Sequence, residues 1–160
     1  NIKKISDLKV IKSIFKNSIG IWTGNVRKTN NILNDQNKRF SKNEKNLLEV
    51  KKLTQIFEKN LKKKFSIDEF LKLLNKSWLI KSILSKKIST KKILKIYQTA
   101  LNNGSIGGKV LGAGGGGFLF LVVKPNNKEK LEKEILKIDK HIEILKFNFY
   151  KSGSAIILSL

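Results

Sequence analysis

The chain has no cysteine, no methionine, one proline, one histidine and two arginines in 160 residues. Each shortage excludes something. Without cysteine there is no disulfide framework, no thiol nucleophile and no thiolate metal site. His141 alone cannot supply a transition-metal ligand set, so no metal site is expected. A reducing, cytoplasmic compartment is the default expectation. No apolar run approaches the ~20 residues of a membrane-spanning helix, and no leader pattern opens the chain. Methionine is missing even at position 1, where Asn1 stands, which leads us to expect a piece of a longer protein. Pro125 is the sole proline and no Pro- or Ser-rich linker or internal repeat divides the chain, so residues 1–160 are expected to form one domain.

Acidic residues are scarce as well. Lys and Arg number 34 against 12 Asp and Glu, a net charge of +22. Such an excess ordinarily points to a polyanionic partner. Here it is nearly all lysine, spread from end to end, and it accompanies abundant Asn and Ile; A/T-rich codons account for all three. Grooves for single-stranded nucleic acid interleave aromatics with arginines, and the only arginines are Arg27 and Arg39. Nucleic acid is therefore a minor expectation. With 40% hydrophobic and 29% charged residues the composition is that of a globular domain.

Periodicity places a helix over Asp7–Asn17, a strand over Ser18–Thr23 and a helix over Val26–Gln36 with Ile32 and Leu33 inward. Ser41–Glu44 and Ser66–Glu69 are both capping-box patterns. The first is expected to open a helix burying Leu47, Leu48, Leu53, Ile56, Phe57 and Leu61. The second opens one with Phe70, Leu71, Leu74, Trp78, Ile80, Ile83 and Leu84. A further helix starts near Thr90, carries Ile93, Leu94, Tyr97 and Leu101, and stops at Asn103-Gly104. Pro125–Glu129 caps a helix running to about Lys140, then Ile142–Tyr150 alternates as a strand and Ser154–Ser159 closes a hairpin. These elements imply an α+β fold with a ferredoxin-like antiparallel sheet, helices on one face.

The stretch Gly104–Lys124, GSIGGKVLGAGGGGFLFLVVK, holds most of the 11 glycines and runs into the most continuous apolar segment. A run such as Gly114–Gly117 is entropically costly to order. It is tolerated where backbone turns with positive φ or where a ligand approaches bare N–H groups, which suit phosphate oxygens. A Walker A loop is excluded, because Gly108-Lys109 is followed by Val110 and position 103 is Asn. Gly112–Gly117 fits G-x-G-x-x-G, but that fingerprint opens a helix, whereas Phe118–Val123 reads as a buried strand. A dinucleotide fold is rejected.

Gly107-Gly108-Lys109-Val110-Leu111-Gly112-Ala113-Gly114-Gly115-Gly116-Gly117-Phe118 resembles, almost residue for residue, the third motif of the GHMP kinase superfamily. Ile21-Trp22-Thr23-Gly24-Asn25-Val26-Arg27, Ile32-Leu33-Asn34-Asp35-Gln36, Leu73-Leu74-Asn75-Lys76-Ser77-Trp78 and the segment around Lys151-Ser152-Gly153 are similar to stretches of its heptose 7-phosphate kinase subgroup. Trp22 and Asn25 depart from the subgroup's usual Tyr and Ser. The family's Gly-Leu-Gly-Ser-Ser-like ATP loop has no counterpart here.

The resemblance implies that residues 1–160 are a GHMP kinase C-terminal domain. Its partner would be the N-terminal ATP-binding domain of the same protein, which would bind most of the ATP and Mg2+, with a sugar phosphate as substrate. The fragment alone is expected to be inactive. Gly112, Ala113, Gly114, Gly115 and Gly116 are expected at the phosphates, with Lys109 adding charge. Thr23, Gly24 and Arg27 are expected at the substrate. No catalytic base is assigned: Asp68 suits a helix N-terminus, Asp35 has no paired carboxylate, and His141 reads as a surface residue. Trp22, Trp78 and Tyr97 are read as core. Two other readings are a basic module binding RNA or another polyanion, which steep salt dependence would reveal, and a non-catalytic ligand-binding domain, which rests on fold analogy.

Overall fold

The computed structural model describes residues 8–26, 29–63 and 66–149. Their elements run α1 (Lys9–Lys16), β1 (Ser18–Trp22), α2 (Thr29–Lys38), α3 (Phe40–Leu61), α4 (Ile67–Ile83), α5 (Lys91–Asn102), β2 (Ser105–Val110), β3 (Phe118–Val123), α6 (Lys128–Leu136) and β4 (Glu143–Lys146). The strands lie in the order β2-β3-β1-β4, and every pairing is antiparallel. This is the order of a ferredoxin-like split β-α-β arrangement, with α2 to α5 inserted between the first two strands.

Alternation along β3 builds both faces of the sheet. Leu119, Leu121 and Val123 join Ile19, Ile21, Trp78, Ile93, Ile96, Leu131 and Ile135 in the main core. Phe120 and Val122 join Ile14 and Leu71 in a second cluster. Helices thus cover both faces rather than one. The face opposite the main core is paved by α1 and the start of α4, which the one-sided expectation left out.

Local sequence sets several boundaries directly. At α4 the Ser66–Glu69 box is complete: Glu69 N–H donates to Ser66 Oγ at 3.2 Å and Ser66 N–H to Glu69 Oε2 at 2.7 Å. At α5, Thr90 Oγ1 accepts from Ile93 N–H at 3.3 Å. The Ser41–Glu44 pattern makes no such box. The helix already starts at Phe40, so Ser41 lies inside α3, with no side-chain cap on Arg39. The expected inward face of α3 is also largely open: Leu47, Leu48 and Ile56 are exposed and only Leu53 is buried. On α5 the buried stripe is Ile93, Ile96 and Ala100, while Leu94 and Leu101 are exposed. Helix α6 ends at Leu136, four residues short of the expected Lys140. The expected closing strand, Ser154–Ser159, lies outside the described residues.

Strand β2 was not foreseen, since Gly107 and Gly108 look like loop residues. They are glycine because nothing larger fits. A Cβ on Gly108 would meet the Phe120 carbonyl oxygen and, at 2.6 Å, Leu121 Cδ2; one on Gly107 would meet the Asn75 amide. The register shift between Ser105 and Gly107 is a bulge that Asn75 satisfies, its Nδ2 donating to Ile106 O and its Oδ1 accepting from Gly108 N–H, both at 3.2 Å.

Candidate functional site

Residues 111–117 connect β2 to β3, and Leu111 N–H donates to Phe118 O at 2.8 Å across the base of the loop. Gly112, Gly114, Gly115 and Gly117 have φ of 65°, 95°, 74° and 74°, values that disfavour any side chain. Two of the loop's own amides dock it on neighbouring carbonyls. Gly115 N–H donates to Ile88 O at 2.8 Å, and Gly117 N–H to Asn25 O at 3.1 Å. Its surroundings are tight: a Cβ on Gly115 would lie 2.6 Å from Ile32 Cδ1, and one on Gly116 2.7 Å from Asn25 O. Much of the glycine content is therefore demanded by packing against α2 and the neighbouring turns.

Packing leaves part of the loop unexplained. The N–H groups of Gly112, Ala113, Gly114 and Gly116 have no hydrogen-bond partner among the described residues. Gly114 and Gly116 are buried residues. Buried N–H groups are nearly always paired, so these amides are candidate donors to a ligand.

Beside Gly112 and Ala113 opens a cleft of about 460 Å³ whose polar lining includes Thr29, Gln36, Ser77, Lys81 and Lys109. Leu33 and Leu47 line the same cleft, which is why they are exposed instead of inward. Lys109 Nζ donates to Ser77 Oγ at 2.9 Å, and burial pushes its ammonium below the ordinary lysine range. Lys81 Nζ donates to Val110 O at 3.1 Å and to Gly112 O. The cleft thus combines backbone donors with two cations, an arrangement suited to an anion.

The sequence-derived site residues separate into two groups. Gly112, Ala113 and Lys109 line the cleft, whereas Gly114, Gly115 and Gly116 lie in the loop outside its lining, the Gly115 N–H being taken by Ile88 O. Thr23 does not stand open to a substrate: it is fully buried, and its Oγ1 and N–H both donate to Gly117 O at 2.9 Å. It holds the loop's far end, which corrects the expected substrate contact. Gly24, with φ 73°, abuts His141, whose Cβ would lie 2.8 Å from an added Cβ. Arg27 lies outside the described residues. Asn75, Ser77 and Lys81 went unassigned, although the first two fall in the Leu73–Trp78 segment that carried a resemblance.

The remaining candidates have structural roles. Asp35 Oδ2 accepts from Ser85 Oγ at 2.5 Å and pairs with Arg39 Nε at 3.1 Å. The Ser85 hydroxyl, with Arg39 beside it, holds that carboxyl below the usual range. Asp68 sits in the first turn of α4 and His141 is exposed. Trp78 is core, its ring 5.8 Å from that of Tyr97. Among the described residues no group of three His, Cys, Asp or Glu side chains comes together, and no helix is long and apolar enough to cross a membrane.

Comparison with known proteins supplies the family. The family described as GHMP kinases C terminal matches residues 57–141, just over half the chain. The chain is 40% identical over 81 residues to the D-glycero-alpha-D-manno-heptose 7-phosphate kinase of Campylobacter jejuni, covering 51% of this chain and 23% of that protein. Among solved structures, one from Campylobacter jejuni assigned to the sugar kinases shares 25% identity with a TM-score of 0.55, covering 96% of this chain and 42% of its own. The Methanococcus jannaschii mevalonate kinase shares 26% identity with a TM-score of 0.64, covering 92% and 45%. The chain therefore spans less than half the length of each of these relatives. Match, strand order and glycine loop agree, and the chain belongs to the GHMP kinases, as a C-terminal domain of that family.

Proposed function

We propose that this chain is the C-terminal part of an ATP-dependent kinase that phosphorylates a sugar or sugar phosphate, with a heptose 7-phosphate as its substrate. The observation that carries the reading is a loop whose Gly112, Ala113, Gly114 and Gly116 N–H groups have no partner among the described residues, with Gly112 and Ala113 lining a cleft that also holds Lys81 and Lys109. The 40% identity to a heptose 7-phosphate kinase favours that substrate.

Phosphoryl transfer depends chiefly on positioning and on stabilising charge at the phosphate oxygens. The loop supplies backbone donors, and its hydrogen bonds to Ile88 O and Asn25 O anchor it at Gly115 and Gly117. Lys109 supplies positive charge from a partly desolvated position, where its field is less screened than in water. Mg2+, when bound, neutralises phosphate charge, and we assign it, with most of the ATP contacts, to an N-terminal GHMP kinase domain of the same protein. No residue of this chain is assigned as base.

The test uses the product of the complete reading frame that encodes this chain, assayed for ADP release with ATP, Mg2+ and D-glycero-D-manno-heptose 7-phosphate. Sugar-phosphate-dependent ADP release is expected. A product that folds yet releases no ADP with any hexose or heptose phosphate would sink the proposal. Tight oligonucleotide binding that weakens steeply with salt would replace it with the polyanion reading.

A further inference from the structure

Helix α4 is tied to β2 and the glycine loop by three polar side chains, Asn75, Ser77 and Lys81. Asn75 holds the bulge at Ile106 and Gly108, Ser77 receives Lys109, and Lys81 reaches the carbonyls of Val110 and Gly112 on either side of Leu111. Ser77 and Lys81 are four residues apart and so share one face of the helix.

The Lys81 contact has a specific geometric consequence. A trans peptide is planar, with its C=O and the following N–H pointing in opposite directions. The Val110–Leu111 plane is held at both ends, by Lys81 on its carbonyl and by Phe118 O on its N–H. The next-but-one plane, Gly112–Ala113, has Lys81 on its carbonyl and an N–H with no partner among the described residues. That plane follows an exposed glycine with φ 65°, which has little intrinsic preference between conformations. Among the described residues, the Lys81 contact is the hydrogen bond that this plane makes.

We propose that Lys81 is a positioning residue: by clamping the Val110 and Gly112 carbonyls it locks the Gly112–Ala113 peptide plane and presets the Ala113 N–H as an anion donor. The inference rests on the phosphate-loop reading above, but its primary readout does not. Preorganised donors bind more tightly because ordering is not charged to the ligand at the moment of binding. A lysine here also contributes plain charge, so the two effects must be separated.

The test compares the 160-residue chain with its Lys81→Met and Lys81→Arg variants. Backbone 15N order parameters at Gly112 to Gly116 report the plane directly, and inorganic pyrophosphate titrated at low salt and at about 1 M salt reports the donors. The unaltered chain is expected to be rigid at Ala113, with an order parameter near ~0.85, falling below about 0.6 in Lys81→Met. Pyrophosphate affinity is expected to drop about tenfold, with most of that loss persisting in high salt, where simple charge attraction is screened. Lys81→Arg, still able to bridge two carbonyls, is expected to restore rigidity and most of the affinity. Unchanged order parameters in Lys81→Met overturn the proposal, as does an affinity loss that vanishes in salt. Should Lys81→Met not fold, Lys81→Gln takes its place against the same two criteria. If the loop loosens but the unaltered chain binds no pyrophosphate, the positioning role stands and the phosphate-loop reading falls.

Discussion

Gly114→Ala separates the two demands that the fold places on the glycine loop. Gly114 has φ 95°, where a Cβ collides with its own backbone; occupying the left-handed side of the map costs an L-residue about 1–2 kcal/mol. The new methyl would also lie 2.7 Å from Ile88 Cγ2 and 3.1 Å from Ile88 Cα. Ile88 is fully buried in the main core, and overpacking there costs about 1–3 kcal/mol. The total is about 2–5 kcal/mol, which lowers Tm by roughly 5–15 °C for a chain of this size. Thermal melts of a double-mutant cycle with Ile88→Ala divide the cost. Removing the Ile88 side chain relieves the Cγ2 collision but leaves the backbone strain. The two substitutions should therefore couple favourably by about 1–2 kcal/mol. Strict additivity would refute the collision, and a wild-type Tm for Gly114→Ala alone would refute both contributions.

Two further substitutions test single features. Ser66→Ala removes the reciprocal cap of α4 and is expected to cost about 1 kcal/mol in denaturant unfolding, whereas Ser41→Ala, in the matching but unused pattern, should cost far less. Asp139 Oδ2 pairs with Lys92 Nζ at 2.7 Å, and its carboxyl accepts from the His141 N–H at 2.8 Å; these contacts, Lys92 foremost, hold it below its ordinary range. A lowered folded pKa means the contribution is complete above the unfolded value of about 4 and is lost as pH falls through the folded one. The Tm gap between the unaltered chain and Asp139→Asn should therefore narrow between about pH 5 and pH 2, and a gap constant over that range would contradict the pairing.

How much of the molecule was legible in the sequence varied with the range of the interactions involved. The caps at Ser66 and Thr90 were readable because each spans three residues and is satisfied locally. Ser41–Glu44 has the same spelling, yet a helix that starts at Phe40 leaves it unused. Leu33 and Leu47 have the periodicity of core residues but line a cleft, and periodicity reports a face without saying what the face meets. Arg27 and the expected closing strand Ser154–Ser159 fall outside the described residues. A long, ordered motif singled out the glycine loop and Lys109, and the fold places Lys109 on one cleft with Gly112 and Ala113. Thr23 was misjudged, because only the fold brings Gly117 to it, 94 positions away.

The sequence by itself determined the family resemblance, the strand–helix order of much of the chain and the position of the loop, all of which rest on local spelling. Only the tertiary structure decided that Gly107 and Gly108 belong to a strand, since their need for a bare Cα comes from Asn75, Phe120 and Leu121. It also decided which loop amides are consumed by Ile88 and Asn25 and which remain as donors. The physical reason is the same in each case. A glycine in the sequence states only that a Cβ is absent, and what occupies the space instead is settled by residues distant in the chain.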